Sequence, residues 1–203
     1  MTIVLSQVDY IHVLEQTRDN MCVVAGLPAM TADFKEVYRG VTPTLYYDTT
    51  FNMGDFYVSA LLYRHTVFVG APVMPLLLLV HERRTTDSHE LLFRWLLKLT
   101  GIQAAIFVID REQAITNAIK KTLPQASLVY CWNHVIGDVR AWVKGNGGTS
   151  ADEHFYASSV RDLLTASTST EYDARLENGR QKWSPPFIAY FDAHLASSVI
   201  CSR

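Results

Sequence analysis

The middle of the chain opens with hydrophobic positions that predict three strands joined by short turns. Runs rich in aromatic, β-branched and leucine residues cover Thr44 to Phe51, Phe56 to Phe68 and Pro75 to His81. Turn-forming residues separate them at Asn52-Met53-Gly54-Asp55 and at Gly70-Ala71-Pro72. Strands with such short connections pair in antiparallel fashion, so we expect a β-meander.

Beyond His81 the pattern alternates between helical and strand-like segments. Apolar residues at helical spacing predict helices over residues 87–100, 112–123 and 134–144. The apolar runs Ala104 to Ile109 and Ser127 to Cys131 predict the strands between them. A strand–helix–strand crossover implies parallel strands with a right-handed connection. We therefore expect an α/β fold with a mixed five-stranded sheet.

The two ends of the chain differ from this middle part. Hydrophobic residues in positions 1–41 show no clear periodicity, although Val8 to Leu14 fits either a short helix or a short strand. After a glycine-rich stretch, Ser150 and Glu153 fit a capping box, and the segment behind them predicts helices without a strand. We expect an N-terminal flanking segment at 1–41, a core at 42–145 and an all-α extension at 150–203.

Composition and charge exclude several classes of protein. The 203 residues are 49% hydrophobic and 19% charged, which is ordinary for a globular protein. A net charge of −2 gives the chain as a whole no strong attraction to nucleic acid. Three widely spaced cysteines form no disulfide framework and suit a reducing compartment. The apolar runs are too short to cross a membrane, so we expect no membrane association.

Two acidic residues follow apolar strands directly. Asp48 comes after Leu45 to Tyr47, and Asp110 comes after Ile106 to Ile109. Sites in α/β sheets form at the carboxyl ends of strands, so the two carboxylates would converge if their strands are neighbours. Carboxylates that lie close together repel unless a cation separates them, and Mg²⁺ or Mn²⁺ prefers such oxygen ligands. The alternative is that each aspartate simply ends its strand and faces solvent.

A second candidate site is Cys131-Trp132-Asn133-His134, a C-x-x-H sequence after the last predicted strand. A thiolate and an imidazole three residues apart are possible ligands for Zn²⁺, with His154, His194 and Cys201 as remote candidates for further ligands. Two alternatives remain open. One is a buried cysteine beside a hydrogen-bonded histidine, and the other is a Cys–His nucleophile pair.

Glu90 has two competing interpretations. It lies at the start of the first predicted helix, where it is a candidate third metal ligand beside the two aspartates. With Asp87 in the cap role, the same glutamate completes a capping box, Asp87-Ser88-His89-Glu90, which explains it without a metal.

Three blocks of the middle region together resemble Mutator-like element (MULE) transposases. They are Asp48-Thr49-Thr50-Phe51, Ile109-Asp110-Arg111-Glu112-Gln113-Ala114 with Ala118-Ile119 and Pro124 behind it, and Cys131-Trp132-Asn133-His134. Their order and spacing are similar to the family pattern from about Pro43 to Lys144.

The resemblance implies a ribonuclease-H-like fold and a DDE-type active site. In such a site Asp48 and Asp110 are the first two catalytic acids and hold Mg²⁺ or Mn²⁺. Cys131 and His134 are the family's signature pair beside the site. The resemblance also implies that the intact enzyme cuts DNA by metal-assisted hydrolysis and joins strands. It further implies a nuclear location and allows an oligomer.

The chain departs from the family pattern at the third acid. The family has a glutamate beyond a helical insertion, whereas Glu153, Glu171 and Glu177 fall inside the insertion-like segment and lack its sequence context. The family's zinc finger is not visible either. We therefore expect a truncated, partial catalytic domain with weak or no catalysis. Two alternatives are a domesticated, non-catalytic DNA- or protein-binding factor and a ribonuclease-H-like nuclease that uses Glu90.

Overall fold

The computed structural model describes residues 2–3, 11–16 and 20–201. The strands are β1 (Thr2–Ile3), β2 (Ile11–Gln16), β3 (Met21–Ala25), β4 (Thr44–Met53), β5 (Phe56–Arg64), β6 (Val73–His81), β7 (Ile106–Ile109) and β8 (Ser127–Tyr130). The helices are α1 (Pro28–Val37), α2 (Thr86–Thr100), α3 (Gln113–Thr122), α4 (Trp132–Gly145), α5 (Ser150–Leu164), α6 (Ser169–Arg180) and α7 (Pro185–Tyr190). A π-helical turn (Phe191–Leu195) leads from α7 into α8 (Ala196–Cys201). Two compact units divide between Leu128 and Val129.

The strands form one mixed sheet in the order β1-β2-β3-β6-β5-β4-β7-β8. β4, β5 and β6 make the expected antiparallel meander. β7 pairs with β4 in parallel, a pairing that the sequence did not predict. β8 crosses from the first compact unit into the second. The mixed α/β class is therefore confirmed.

The sheet is wider than the five strands expected from the sequence. β3 pairs antiparallel with β6, and β2 and β1 follow outside β3. Buried and partly exposed residues alternate in Met21–Ala25 over only five positions, which is too short a pattern to predict a strand. Pairing with β6 in the tertiary structure makes this segment a strand. In the undecided segment Val8 to Leu14, residues 8–10 lie outside the described residues and residues 11–14 belong to β2.

The second predicted strand also ends earlier than its composition suggested. β5 stops at Arg64, and Val67, Phe68 and Val69 lie exposed in the loop that leads to β6. A β-branched and aromatic sequence fits a strand only where a neighbouring strand pairs with it. His65 donates its backbone N–H to the carbonyl of Pro72 and closes the loop at 2.8 Å.

One face of the sheet packs against α2. The ring of Phe93 on α2 lies 5.1 Å from the ring of Tyr47 on β4 and 5.5 Å from that of Phe107 on β7. All three side chains are almost fully buried. Because side chains alternate along a strand, Tyr46, Asp48 and Val108 belong to the opposite face of the sheet.

Two predicted capping boxes are wrong in position. α2 is capped by Thr85, whose hydroxyl accepts a 3.3 Å hydrogen bond from the Ser88 amide, and Asp87 lies inside the first turn. α5 has a capping box, but Thr149 and Asp152 form it rather than Ser150 and Glu153. Several residues with capping ability stand side by side at both places, so their types alone do not fix the first helical residue.

Every element described between Trp132 and Cys201 is helical, as expected for the extension. The helical unit has its own apolar core, which includes Val139, Val160, Phe187, Phe191 and Leu195. Ser184 caps α7 by accepting from the Phe187 amide, and Pro185 occupies the first helical position.

Candidate metal site

The parallel pair of β4 and β7 brings the two candidate aspartates next to each other. Tyr47 of β4 is aligned with Ile109 of β7. The residues that follow them, Asp48 and Asp110, therefore occupy adjacent positions on neighbouring segments of the chain. Neighbouring strands lie about 4.8 Å apart. Asp48 belongs to the face of β4 opposite Tyr47, and both aspartates are half-buried. The sequence left open whether these two strands are neighbours, and the structure shows that they are.

Asp48 lies inside β4, as it does in the strand expected at Thr44 to Phe51. β4 continues to Met53, and Asp48 is aligned with Ala60 of β5. The parallel partner β7, however, ends at Ile109, so no parallel ladder continues beyond this pair. The pairing of β4 with β5 shifts register between Thr49 and Phe51, directly after the aspartate. Such irregularities re-aim side chains and are frequent beside sites.

Asp110 is the first residue after β7, as the sequence indicated. Its Oδ1 atom accepts a 2.6 Å hydrogen bond from the backbone amide of Arg111. This contact orients the carboxylate at the point where the chain turns from β7 towards α3.

The donor set at this position suits a hard divalent cation in part. Two adjacent carboxylates offer the oxygen ligands that Mg²⁺ and Mn²⁺ prefer, and such a cation relieves their mutual repulsion. Within the described part of the chain, however, no group of three or more His, Cys, Asp or Glu side chains is arranged to hold a metal. The chain thus provides a pair of ligands, and their role in metal binding stays a prediction.

Glu90 is not brought to the two aspartates. It lies on α2, which packs on the opposite face of the sheet. Its Oε2 atom lies 2.7 Å from Lys121 Nζ, and its Oε1 atom lies 3.8 Å from Arg94 Nε. The buried carboxylate therefore already has cationic partners. Because α2 begins at Thr86, Glu90 forms no capping box with Asp87 either.

Cys131 and His134 lie at the start of α4, in the second compact unit. The carbonyl of Cys131 accepts hydrogen bonds from the amides of His134 and Val135, at 3.1 and 3.2 Å, and so begins the helix. The Cys131 thiol is free and half-buried. His154 on α5 and His194 in the π-helical turn are exposed, and the Cys201 side chain lies outside what the structure describes. A Zn²⁺ site at Cys131 and His134 gains no support from this arrangement.

Three glutamates of the helical segment lie on α5 and α6. Glu171 Oε2 accepts from the Ser167 amide at 2.7 Å, and its Oε1 lies 2.5 Å from an Arg175 guanidinium nitrogen. Glu153 belongs to the first turn of α5 and Glu177 to α6. None of them was predicted to be the third acid. The Glu171 carboxylate already has partners at the start of α6, the Ser167 amide and the Arg175 guanidinium.

Sequence reasoning missed a buried polar chain on the α2 side of the sheet. The Tyr47 hydroxyl lies 2.7 Å from His89 Nδ1, and His89 Nε2 lies 3.7 Å from Glu112 Oε1. Glu112 also accepts from Arg84 Nε at 3.1 Å. The available signal was a histidine within the apolar face of α2. Burial raises the pKa of Glu112, but the His89 imidazole and the Arg84 guanidinium beside the carboxylate outweigh it, so this pKa lies below its usual value.

Comparison with known proteins finds a family model that is similar to the middle of this chain. Residues 44–138 match the MULE transposase domain. None of the curated proteins matches the chain. Among the described residues, no helix is long and apolar enough to span a membrane. The matched stretch contains Asp48, Asp110 and the Cys131–His134 pair, so the earlier resemblance is confirmed. Residues 44–138, just under half of the chain, are therefore similar to the MULE transposase domain.

Proposed function

We propose that this chain contains the partial catalytic domain of a MULE-type DDE transposase with a ribonuclease-H-like core. The observation that carries the proposal is the parallel register of β4 and β7. It aligns Tyr47 with Ile109, so the residues that follow them, Asp48 and Asp110, are neighbours across the two segments, which supports a shared site. In the intact enzyme this core would take part in metal-dependent DNA cleavage and strand transfer.

In this proposal the carboxylates of Asp48 and Asp110 would hold Mg²⁺ or Mn²⁺. When bound, such an ion supplies an activated water and stabilises the leaving oxygen in phosphodiester cleavage. The protein contributes fixed ligand positions, since β4 is held between β5 and β7. The Arg111 amide orients the Asp110 carboxylate, so little of its freedom remains to be lost on binding.

The domain boundaries belong to the same proposal. Residues 42–145 would be the partial catalytic core, and residues 150–203 an insertion-like helical segment. Residues 1–41 would be a flanking segment, although β3 and α1 within it belong to the first compact unit. DNA as the partner and a nuclear location follow from the family. An oligomer is compatible with the proposal.

Catalysis by the isolated chain should be weak or absent. A cation held by two carboxylates has fewer protein ligands than the three acids of a DDE site provide. The described residues contain no group of three potential metal ligands. Mg²⁺-dependent DNA cleavage by the purified chain at an ordinary enzymatic rate would contradict this expectation.

The experiment that tests the site is Mn²⁺ binding to the purified chain by titration calorimetry. The test variant carries Asp48→Asn and Asp110→Asn, which keep side-chain size and remove the charges. Asp55→Asn, in the exposed turn between β4 and β5, is the matched control. We expect Mn²⁺ binding by wild type and by the control, and none by the double variant. Absence of binding to wild type, or its survival in the double variant, would end the two-aspartate proposal.

A second candidate function is non-catalytic DNA binding by a domesticated descendant. The same lack of a three-ligand group in the described residues favours it. It predicts that the double variant binds DNA as tightly as wild type in a fluorescence anisotropy titration at fixed salt concentration. If the double variant loses DNA binding as well as Mn²⁺ binding, the DNA contact depends on the two aspartates. That result would contradict the non-catalytic function and favour the transposase site.

A further inference from the structure

A buried polar chain lies behind the sheet and starts beside one of the two aspartates. Tyr47 precedes Asp48 on β4 and points to the opposite face. Its hydroxyl lies 2.7 Å from Nδ1 of His89 on α2. Both side chains are at most 1% exposed. The two atoms are within hydrogen-bond distance, and the tautomer of the imidazole decides which of them donates.

The same histidine reaches the segment that carries the other aspartate. A neutral imidazole carries one ring proton, on either Nδ1 or Nε2, so His89 can face one neighbour as a donor and the other as an acceptor. Nε2 faces Oε1 of Glu112 at 3.7 Å, outside hydrogen-bond distance, so the contact between these two atoms is electrostatic. Glu112 comes two residues after Asp110 and directly precedes α3. Arg84 donates to the same carboxylate through Nε at 3.1 Å and so holds it towards the imidazole.

The neighbouring histidine does not compete for this bridging position. The rings of His81 and His89 lie 5.1 Å apart. His81 Nε2 lies 2.9 Å from the Ser59 hydroxyl, and its Nδ1 lies 2.8 Å from the Arg83 carbonyl. Both nitrogens of His81 therefore have partners on β5 and on the loop before α2. His89 alone of the two connects β4 with the start of α3.

We propose that His89 is a positioning residue that joins Tyr47 to Glu112 behind the sheet and thereby fixes the spacing of Asp48 and Asp110. The connection crosses between the two segments that carry the aspartates, on the face away from them. Its consequence for Mn²⁺ rests on the proposed function, whereas the mechanical link between the two segments does not.

The link is tested without metal by amide hydrogen exchange at Arg111. This amide donates to Asp110 Oδ1, so its exchange rate reports opening of the Asp110 segment. Tyr47→Phe removes only the hydroxyl and should speed Arg111 exchange about fivefold, although the change lies on another strand. Glu112→Gln should do the same. In the double variant Tyr47→Phe/Glu112→Gln the rate should not exceed that of the faster single variant, because both changes break one chain.

Tyr63→Phe is the control, since Tyr63 is an equally buried tyrosine of the same sheet whose hydroxyl bonds to Asp33 instead. It should leave Arg111 exchange unchanged. His89→Phe should reproduce the effect of Tyr47→Phe. If His89→Phe does not fold, the single hydroxyl deletion still decides the question. Unchanged Arg111 exchange in Tyr47→Phe, or independent multiplication of the two single effects, would overturn the proposal.

Mn²⁺ titrations of the same variants separate the two proposals. If wild type binds Mn²⁺, Tyr47→Phe should weaken the affinity about fivefold relative to Tyr63→Phe. An unchanged affinity would show that the link does not set the spacing of the aspartates. If wild type binds no Mn²⁺, the proposed function fails, and Arg111 exchange still decides whether His89 joins the two segments.

Discussion

At the scale of single residues, one carboxylate attaches α1 to the sheet. Asp33 of α1 accepts a short hydrogen bond from the Tyr63 hydroxyl, and its Oδ1 lies 3.1 Å from His65 Nε2. Tyr63 and His65 are buried, while the Asp33 side chain is 36% exposed. The bond from Tyr63, followed in importance by the contact with His65, holds the pKa of Asp33 below its usual value of 3.8.

Replacement of this carboxylate should therefore destabilise the protein in a pH-dependent way. Asp33→Asn should lower the free energy of unfolding by about 1 kcal/mol at pH 7, because the bond lies at the surface and is partly screened. The folded-state pKa is depressed, so this contribution is present above pH 3.8 and is lost as pH falls through the folded-state value. Urea unfolding curves should show that the difference in free energy of unfolding between wild type and Asp33→Asn is smaller in acid than at pH 7. Asp55→Asn, the exposed control, should change neither curve.

At the scale of elements, the connection between α4 and α5 depends on close backbone approach. Gly147 has a positive φ of 76°, and the Gly148 amide donates to the Val143 carbonyl at 2.9 Å. A Cβ atom on Gly148 would lie 2.3 Å from Val143 Cγ1 and 3.0 Å from its carbonyl oxygen. Val143 is buried, so it has little room to move.

Gly148→Ala should therefore cost about 1–3 kcal/mol in the free energy of unfolding. Gly145→Ala is the matched control, since a Cβ atom there would meet no atom within 4 Å. It lies at the last residue of α4, where alanine is a better helix former than glycine. Thermal unfolding should show a lower midpoint for Gly148→Ala and an equal or higher one for Gly145→Ala. Equal effects of the two changes would contradict the packing argument.

At the scale of the whole molecule, the N-terminal segment is part of the sheet. β3 covers the edge of β6 through pairs such as Val24 with Leu79, and both of these side chains are fully buried. Phe34 of α1 packs against the Tyr63 ring at 5.3 Å. Removal of this segment would open a long, apolar strand edge, which is prone to pairing with other chains.

Deletion of residues 1–41 should therefore give an aggregating protein, although the sequence placed the core at 42–145. Deletion of residues 1–10 is the control, because it keeps β2, β3 and α1. Size-exclusion chromatography of the two proteins, expressed and purified in parallel, measures the difference. A monodisperse, cooperatively unfolding protein from the longer deletion would show that β6 tolerates an open edge.

Much of the fold was predictable wherever a segment's pattern was strong and local. The three strands of the meander and the helices α2, α3 and α4 have apolar periods long enough to identify them. The N-terminal strands were not predictable, since each is short and owes its conformation to pairing with β6 or with one another. The capping errors at Thr85 and Thr149 have a local reason, because adjacent residues compete for the cap.

The candidate site divides in the same way between sequence and structure. The sequence alone identified the acids that stand beside apolar strands, Asp48 and Asp110, and the motifs that make residues 44–138 similar to the MULE transposase domain. Tertiary packing brought the two positions next to each other, since the register of β4 on β7 joins segments some sixty residues apart. It also decided that Glu90 lies behind the sheet with Lys121 and that His89 lies between Tyr47 and Glu112. Such contacts depend on how helices pack on a sheet, and no local pattern of hydrophobic and polar residues encodes them.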